Sequence, residues 1–260
     1  MSTNGPAAGN GELTPIKMKI ARLFPEALNL FGDAGNLAAL SRRLLWRGID
    51  CELREISLSG EIDFMEFDII LLGGGGDQAL LCAADRLCRH RDDFCAYAKS
   101  GGVVLAVCGG FPLLGKTLAI GGRETEGLGL LEIHTTDSES KNITGRLSGD
   151  VVLDCPLIHE KIVGFENHSS RTYIGPLAPL GRVLHGHGSN GEDGAEGVIY
   201  KHVIGTYLHG PLLPKNPQLC DYLLEKALLR KGWDGELTPL DDTTETAANH
   251  LIVNRYLKEE

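Results

Sequence analysis

The sequence has 260 residues, 42% of them hydrophobic, which is enough to build a buried core in one large domain or two small ones. Its formal net charge of -10 argues against nucleic acid and anionic lipid surfaces as partners. Residues 1–11 have neither the basic region nor the apolar run of a secretory signal, and no apolar run reaches the roughly 18 residues of a membrane span. We therefore expect a cytoplasmic protein without direct membrane insertion, in which residues 1–15 are a disordered tail.

Seven cysteines are present, an odd number without any C-x-x-C pair of the kind that holds zinc. We expect them to be reduced in the cytoplasm, and free cysteine is among the most buried residue types. Cys82, Cys88 and Cys95 recur at intervals of six and seven in a predicted helical region, which suits one packed face better than a metal site. The sequence therefore predicts mostly buried structural thiols and no metal.

From residue 18 the sequence alternates between short apolar runs and longer amphipathic stretches, as strand-helix-strand units do. Residues 67–72 and 103–107 lack polar alternation, which indicates strands that are buried on both faces of a parallel sheet. The elements predicted in this half are strands at 18–23, 51–56, 67–72 and 103–107 and helices at 36–47 and 77–100.

After residue 118 the sequence changes to strand-like segments separated by Gly, Asn and Asp, at 128–135, 146–153 and 162–173. This pattern predicts antiparallel pairing. A short strand at 202–208, a helix at 218–230 and an acidic surface helix from residue 241 complete the chain. The predicted fold class is α/β: one domain over 16–260 with a mostly parallel central sheet flanked by helices, an antiparallel portion, and a C-terminal helical extension at 235–260.

The sharpest local feature is a buried strand that runs directly into Cys108 and two glycines. A nucleophile held at a tight strand-to-helix turn needs small neighbours, because the backbone must bend sharply there. A helix that starts behind the turn would place N–H groups and positive dipole near the sulfur, and both favour a thiolate. A buried structural cysteine beside a glycine turn is the alternative interpretation.

A thiol nucleophile requires a base, and among the nine histidines His209 has the most suitable context. It follows the apolar residues of the predicted strand at 202–208 and precedes Gly210 and Pro211. We therefore predict that Cys108 and His209 are the catalytic residues.

The segments 106–115 (AVCGGFPLLG) and 205–211 (GTYLHGP) together resemble the class I, or triad-type, glutamine amidotransferases, in particular their cobyric acid synthase-like branch. Three further segments fit that branch, namely 73–78 (GGGGDQ), 126–130 (EGLGL) and 164–168 (GFENH) with Arg171 after it. Within the branch, one subfamily is similar at three more places: the GatD glutaminase subunits of lipid II isoglutaminyl synthase, at 31–36 (FGDAGN), 167–172 (NHSSRT) and 210–216 (GPLLPKN).

The resemblance implies a single glutamine amidotransferase-like domain that hydrolyses L-glutamine to glutamate and ammonia through a thioester on Cys108. In the GatD subfamily the ammonia passes to a Mur ligase-like partner, MurT, which amidates the α-carboxyl of D-glutamate in lipid II during peptidoglycan biosynthesis. It therefore also implies a heterodimer, with no cofactor on this chain and ATP on the partner subunit. Two alternatives stay open: the glutaminase of a cobyrinate-type synthase, and a non-catalytic regulatory subunit.

Four further positions are candidate substrate contacts. Gly74 and Gly75, in the glycine run after the strand at 67–72, would point N–H groups at a developing oxyanion, with Gly109 N–H as a second donor. Such a run could also cradle a phosphate, but no Lys-Ser or Lys-Thr follows it. The resemblance places Arg146 where the subfamily carries an arginine that contacts glutamine, and a guanidinium suits the α-carboxylate. A solvated hairpin arginine is the alternative.

One position departs from the family pattern, because the residue two after His209 is Pro211, where many triad amidotransferases have a glutamate. Either Cys108 and His209 act as a dyad, which we favour, or another acceptor such as Glu166 or a backbone carbonyl orients the imidazole. We expect His168 to be a structural histidine.

Asp33 and Asn36 precede or begin the predicted helix at 36–47, where their side chains would accept hydrogen bonds from free N–H groups. We therefore expect them to cap this helix. The likeness of the whole segment to the subfamily leaves open a second role at the ammonia exit or the partner face.

Overall fold

The computed structural model describes residues 16–30, 32–137 and 145–257. The tail predicted at 1–15 lies outside the described residues. No helix within the described ranges is both long enough and apolar enough to cross a membrane.

The elements alternate as the sequence predicts, with small shifts at their ends. In the described part of the chain the strands are β1 (Lys17–Leu23), β2 (Asp50–Ile56), β3 (Ile69–Leu72), β4 (Val103–Val107), β5 (Gly115–Ile120), β6 (Arg123–Glu126), β7 (Leu131–Thr136), β8 (Leu147–Asp154), β9 (Ile162–His168), β10 (Arg171–Tyr173), β11 (Gly181–His185), β12 (Ala195–Glu196), β13 (Val198–Tyr200) and β14 (Val203–Thr206). The α-helices are α1 (Asp33–Leu45), α2 (Asp77–Cys88), α3 (Arg91–Lys99), α4 (Pro217–Arg230) and α5 (Thr243–Tyr256). The helical region predicted at 77–100 is therefore two helices.

Six strands form the central sheet, in the order β13-β14-β4-β3-β1-β2. All neighbours pair in parallel except β13, which is an antiparallel edge strand. Helices cover both faces: Leu40 of α1 and Leu223 of α4 belong to the same apolar cluster as Leu105 of β4, whereas Leu87 of α2 packs in the cluster of Val104. The prediction of an α/β fold with a mostly parallel central sheet is confirmed.

Two four-stranded sheets build the remaining part, in the orders β10-β7-β5-β6 and β12-β11-β8-β9. Strand β8 pairs antiparallel with β9 along the whole of β9, from Leu147 opposite His168 to Leu153 opposite Ile162. The predicted antiparallel pairing is therefore present, with the exception that β5 and β7 run parallel.

The cysteines are free, as expected, but fewer are buried than the sequence suggested. Cys82 is exposed, and the half-buried cysteines are Cys51, Cys88 and Cys95. Six residues of α-helix turn by about 600°, so Cys82 and Cys88 point about 120° apart and do not share a face. The buried face of α2 is formed instead by Ala83, Ala84 and Leu87.

Polar contacts hold the C-terminal helix α5 on the rest of the fold. The guanidinium of Arg43 in α1 is buried and donates to both carboxylate oxygens of Asp242, at 2.5 and 2.8 Å, and of Asp221, at 2.6 and 2.7 Å. Asn249 of α5 is also buried and donates from Nδ2 to the carbonyl oxygen of Lys215 at 3.1 Å. The helix in the predicted extension is thus packed on α1 and on the segment that follows β14.

Helix α1 also lies close to that segment, since a Cβ at Gly35 would be 2.5 Å from Cγ of Pro211. Gly35→Ala is expected to destabilise the protein by about 1–3 kcal/mol through overpacking, although alanine is the better helix former. Gly76→Ala is the matched control, because a Cβ there meets no heavy atom within 4 Å. Its expected cost is below about 1 kcal/mol. Urea denaturation measures both, and equal losses would contradict the close contact at Gly35.

Candidate active site

The chain turns sharply at the end of β4. Cys108 has a φ of 53°, in the left-handed region that costs a non-glycine residue about 1–3 kcal/mol. Gly110 lets this turn lie against the neighbouring strand, because a Cβ there would be 2.6 Å from the carbonyl oxygen of Leu72. The predicted strand-to-turn geometry at Cys108 is therefore present, and it is held by close backbone packing.

The helix expected behind this turn is shorter than the sequence suggested. Two three-residue 3₁₀ helices, Cys108–Gly110 and Pro112–Leu114, lead directly into β5. A single turn aligns few peptide dipoles, so its contribution to the potential at the sulfur is small. A helix dipole therefore does little to stabilise a thiolate here.

Burial governs the protonation of Cys108, which is 6% exposed. Burial raises the pKa of the Cys108 thiol to about 12, against the lowering effects of the Gly109 N–H and the charge of Arg146. The charge of Asp33 raises this pKa further. Burial thus favours the neutral thiol in the resting site, whereas the turn alone predicts a thiolate.

His209 lies at the same edge of the central sheet as Cys108. Strand β14 is the parallel neighbour of β4, with Thr206 opposite Val107, so both residues follow the carboxyl ends of adjacent strands. The His209 N–H donates to the carbonyl oxygen of Phe165 at 3.0 Å, and Phe165 N–H donates back to His209 at 3.3 Å. This bridge fixes the backbone of His209 against β9.

The imidazole of His209 is buried, at 4% exposure. Burial lowers the pKa of His209 to about 4, and the charges of His168 and Lys215 act in the same direction. The charge of Glu166 opposes this lowering of the pKa without overcoming it. A histidine with this pKa is neutral at pH 7 and can accept a proton.

Pro211 occupies the position where the family pattern has a glutamate, and it packs against α1 next to Gly35. The prediction that Asp33 and Asn36 cap α1 is corrected by the structure: the N-cap residue is Gly32, which has no side chain to accept a hydrogen bond. Asn36 accepts from Leu213 N–H at 2.9 Å through Oδ1. The first turn of α1 therefore fixes the segment that follows His209.

Two glutamates near the site, Glu166 and Glu196, are fully buried. Glu166, which the sequence offered as an alternative partner for His209, accepts from the N–H groups of His187 at 2.8 Å and Gly188 at 2.9 Å. Glu196 was not found from the sequence, where it is an isolated residue in a glycine-rich segment. It accepts from Thr206 Oγ1 at 2.7 Å, and burial raises its pKa.

A cavity of about 310 Å³ opens at Cys108, within the size range of small-molecule sites. Its walls include three more of the predicted site residues, Gly75, Gly109 and Arg146, but His209 is not among the described residues that line it. Sequence reasoning missed several of the lining side chains, among them Asp77, Asp137, Ser169, Ser170 and Tyr207. The cavity thus brings together most, but not all, of the predicted site.

Arg146 is exposed at this cavity, and its Nε donates to Oδ1 of Asn167. The arrangement leaves the rest of the guanidinium available for an anionic group. Gly74 is placed differently from the prediction, because its N–H donates to Oδ2 of Asp33 at 3.4 Å. Of the glycine run, Gly75 is the predicted residue that reaches the cavity.

His168 lines the same cavity and has defined contacts. Its Nδ1 lies 2.8 Å from the carbonyl oxygen of Ser170, so Nδ1 carries the hydrogen. The ring stacks on Tyr207, with centroids 3.7 Å apart and planes 5° apart. His168 therefore has the structural contacts that the sequence led us to expect, in the wall of the candidate site.

The neutral state of Cys108 predicts its reactivity. Alkylation requires the thiolate, so the labelling rate of Cys108 by iodoacetamide should be very low at pH 7 and rise about tenfold per pH unit up to the highest pH at which the fold persists. Peptide-resolved mass spectrometry separates it from exposed Cys82, which serves as the internal control and labels first. Rapid labelling of Cys108 at pH 7, with a plateau already below pH 9, would contradict the burial effect.

Comparison with known proteins shows the family of this chain. A family model described as the CobB/CobQ-like glutamine amidotransferase domain matches residues 19–217. The GatD subunit of the glutamine-hydrolysing lipid II isoglutaminyl synthase of Staphylococcus aureus is 41% identical over 240 residues, which cover 92% of this chain and 96% of that protein. The protein of the same name from Streptococcus pneumoniae is 37% identical, covering 88% and 87%.

More distant relatives match only part of their length. The cobyric acid synthase of Vibrio parahaemolyticus is 34% identical over 126 residues, which are 45% of this chain and 24% of that protein. Among solved structures, the glutaminase domain of Trypanosoma brucei CTPS with bound acivicin shares the fold, with a TM-score of 0.51 at 12% identity, over 85% of this chain and 96% of that one. The chain therefore belongs to the CobB/CobQ-like glutamine amidotransferases, to the GatD family among them, and is a glutamine-hydrolysing enzyme subunit.

Proposed function

We propose that this chain is the glutaminase subunit of a lipid II isoglutaminyl synthase. It hydrolyses L-glutamine, and the ammonia passes to a Mur ligase-like partner, MurT, that amidates the α-carboxyl of D-glutamate in lipid II. The observation that carries the proposal is Cys108 in a left-handed turn at a cavity that Arg146 also lines. Two relatives that carry the synthase subunit's name match nearly the whole chain, which supports the same assignment.

In the proposed first step, Sγ of Cys108 adds to the side-chain amide carbon of glutamine while His209 takes the thiol proton. Both groups are neutral at rest, with pKa values of about 12 and about 4, so proton transfer must accompany C–S bond formation. The N–H groups of Gly109 and Gly75 are the candidate donors to the oxyanion. The C–N bond then breaks, and protonated His209 returns its proton to the departing ammonia.

In the second step, water adds to the thioester carbon while His209 takes a proton from it. The C–S bond breaks, glutamate is released, and the proton returns to the sulfur of Cys108. With Pro211 packed against α1, we propose that Cys108 and His209 act as a dyad without a third carboxylate on the residue two after the histidine. The bridge to Phe165 and the contacts of the first turn of α1 would then hold the histidine in place.

No step of this hydrolysis needs a metal or an organic cofactor on this chain. Among residues 16–30, 32–137 and 145–257, no group of three or more His, Cys, Asp or Glu side chains could hold a metal ion. We propose that ATP binds the partner subunit, where the acceptor carboxylate is activated, and that the reaction takes place in the cytoplasm.

The proposal is tested by glutamate release from glutamine, measured with and without a Mur ligase-like partner. Cys108→Ala should abolish release, because no nucleophile remains, and His209→Asn should lower kcat by at least about 100-fold through loss of the base. Amidation of lipid II should require both subunits and ATP. Equal release by wild type and Cys108→Ala would contradict the proposed mechanism. Amidation of lipid II by this chain alone would contradict the proposal that the partner subunit catalyses that step.

Arg146 provides a second prediction, because its guanidinium is the candidate partner for the α-carboxylate of glutamine. Arg146→Ala should raise KM for glutamine by about 10-fold to 100-fold, the range for loss of a hydrogen bond to a charged group. Arg54→Ala is a matched control, since Arg54 is an exposed arginine of the edge strand β2 that pairs with Glu52. Steady-state kinetics of both variants measure KM for glutamine, and an unchanged KM in Arg146→Ala would show that Arg146 does not bind the substrate.

A further inference from the structure

Arg171, at the start of β10, is the largest fully buried side chain described in the molecule, with no exposed surface. Burial lowers the pKa of its guanidinium from the usual value. Burying this charged group is unfavourable, so the fold must compensate it with hydrogen bonds. Among the described residues, its acceptors are three backbone carbonyl oxygens and no carboxylate.

These acceptors lie in two separate turns. Nη2 of Arg171 donates to the carbonyl oxygen of Gly145 at 2.7 Å, and Nη1 donates to Ser169 at 2.8 Å and Ser170 at 3.3 Å. The planar guanidinium thus joins the turn that precedes β8 to the turn between β9 and β10. Gly145 directly precedes Arg146, so the contact fixes the backbone from which that side chain extends.

Both turns belong to the wall of the cavity at Cys108. Arg146 lines it from the first turn, and Ser169 and Ser170 line it from the second. The carbonyl oxygen of Ser170 also accepts the hydrogen bond from His168 Nδ1. One buried side chain therefore connects the backbone of Arg146 with the turn that holds the stacked histidine.

We propose that Arg171 is a positioning residue for glutamine binding, which ties the Gly145–Arg146 turn to the Ser169–Ser170 turn so that Arg146 meets the α-carboxylate of the substrate. The proposal rests on the proposed glutaminase function. It requires the fork of the guanidinium, because one ammonium group on a flexible stem cannot span the acceptors of two turns in the same fixed geometry. Arg171 acts through Arg146 and does not itself touch the substrate.

The test compares Arg171→Met and Arg171→Lys with wild type in the complex with the partner. Arg171→Met should raise KM for glutamine about tenfold, which corresponds to about 1.4 kcal/mol of lost binding, and leave kcat within about twofold. Arg171→Lys keeps the charge but not the fork, so its KM should rise by at least about threefold. In the Cys108→Ala background, calorimetric titration with glutamine should show the same loss of affinity without any turnover.

Arg43→Met is the matched control, because it also removes a buried arginine, one that is ion-paired with Asp221 and Asp242. It should lower the unfolding midpoint while KM stays at the wild-type value, so a KM effect confined to Arg171 separates positioning from general loss of stability. Hydrogen exchange provides a local readout: amides at 145–147 and 169–170 should exchange faster in Arg171→Lys than in wild type.

The outcomes separate the two proposals. If wild type and Cys108→Ala release glutamate equally, the glutaminase mechanism fails, and the role of Arg171 fails with it. If wild type is active and Arg171→Met keeps the wild-type KM and glutamine affinity, only the role of Arg171 is overturned. If Arg171→Met does not fold, Arg171→Lys decides: a folded lysine variant with wild-type KM would overturn the proposal.

Discussion

The candidate site depends on the parallel pairing of β14 with β4. With Thr206 opposite Val107, the two strands end side by side, and the segments that leave them contain His209 and Cys108. The left-handed turn at Cys108 is unfavourable for a residue with a side chain, and the surrounding packing must hold it. Phe111, fully buried just after the turn, packs edge-on against Tyr207 at a centroid distance of 5.3 Å and so joins the two segments.

Burial has opposite effects on the pKa values of these two residues, because one is an acid and the other a base. The thiol of Cys108 is held protonated and the imidazole of His209 is held neutral, so the resting site contains no ion pair between them. A neutral thiol reacts slowly with oxidants and electrophiles. In the proposed mechanism, the bound amide is what makes transfer of the proton favourable, which couples activation of the nucleophile to the presence of glutamine.

The features that the sequence predicted well are those that depend on local pattern. Apolar runs placed β3 and β4, and the glycines after Cys108 indicated the sharp turn. The features it missed depend on contacts between distant residues: Arg171 reaches Gly145 across 26 positions, and Asn36 reaches Leu213 across 177. The expected helix behind Cys108 failed for a related reason, since Gly115 starts a strand that pairs with β7 and ends the 3₁₀ turn early. The motif also shows only the local donors that favour a thiolate at Cys108, because the burial that raises the pKa of this thiol arises from residues distant in sequence.

The family model ends at residue 217. In the structure, a residue beyond that point makes polar contacts with the segment that follows His209. Asn249 of α5 reaches Asn216 Oδ1 at 3.2 Å, and Asn216 in turn accepts from Val163 N–H in β9, the strand that bridges to His209. Hydrogen bonds therefore connect α5, through Asn216 and β9, with the segment that contains His209. A covalent fusion at the C-terminus, or any molecule that displaces α5, would act on a part of the fold that lies outside residues 19–217, the range of the CobB/CobQ-like domain model.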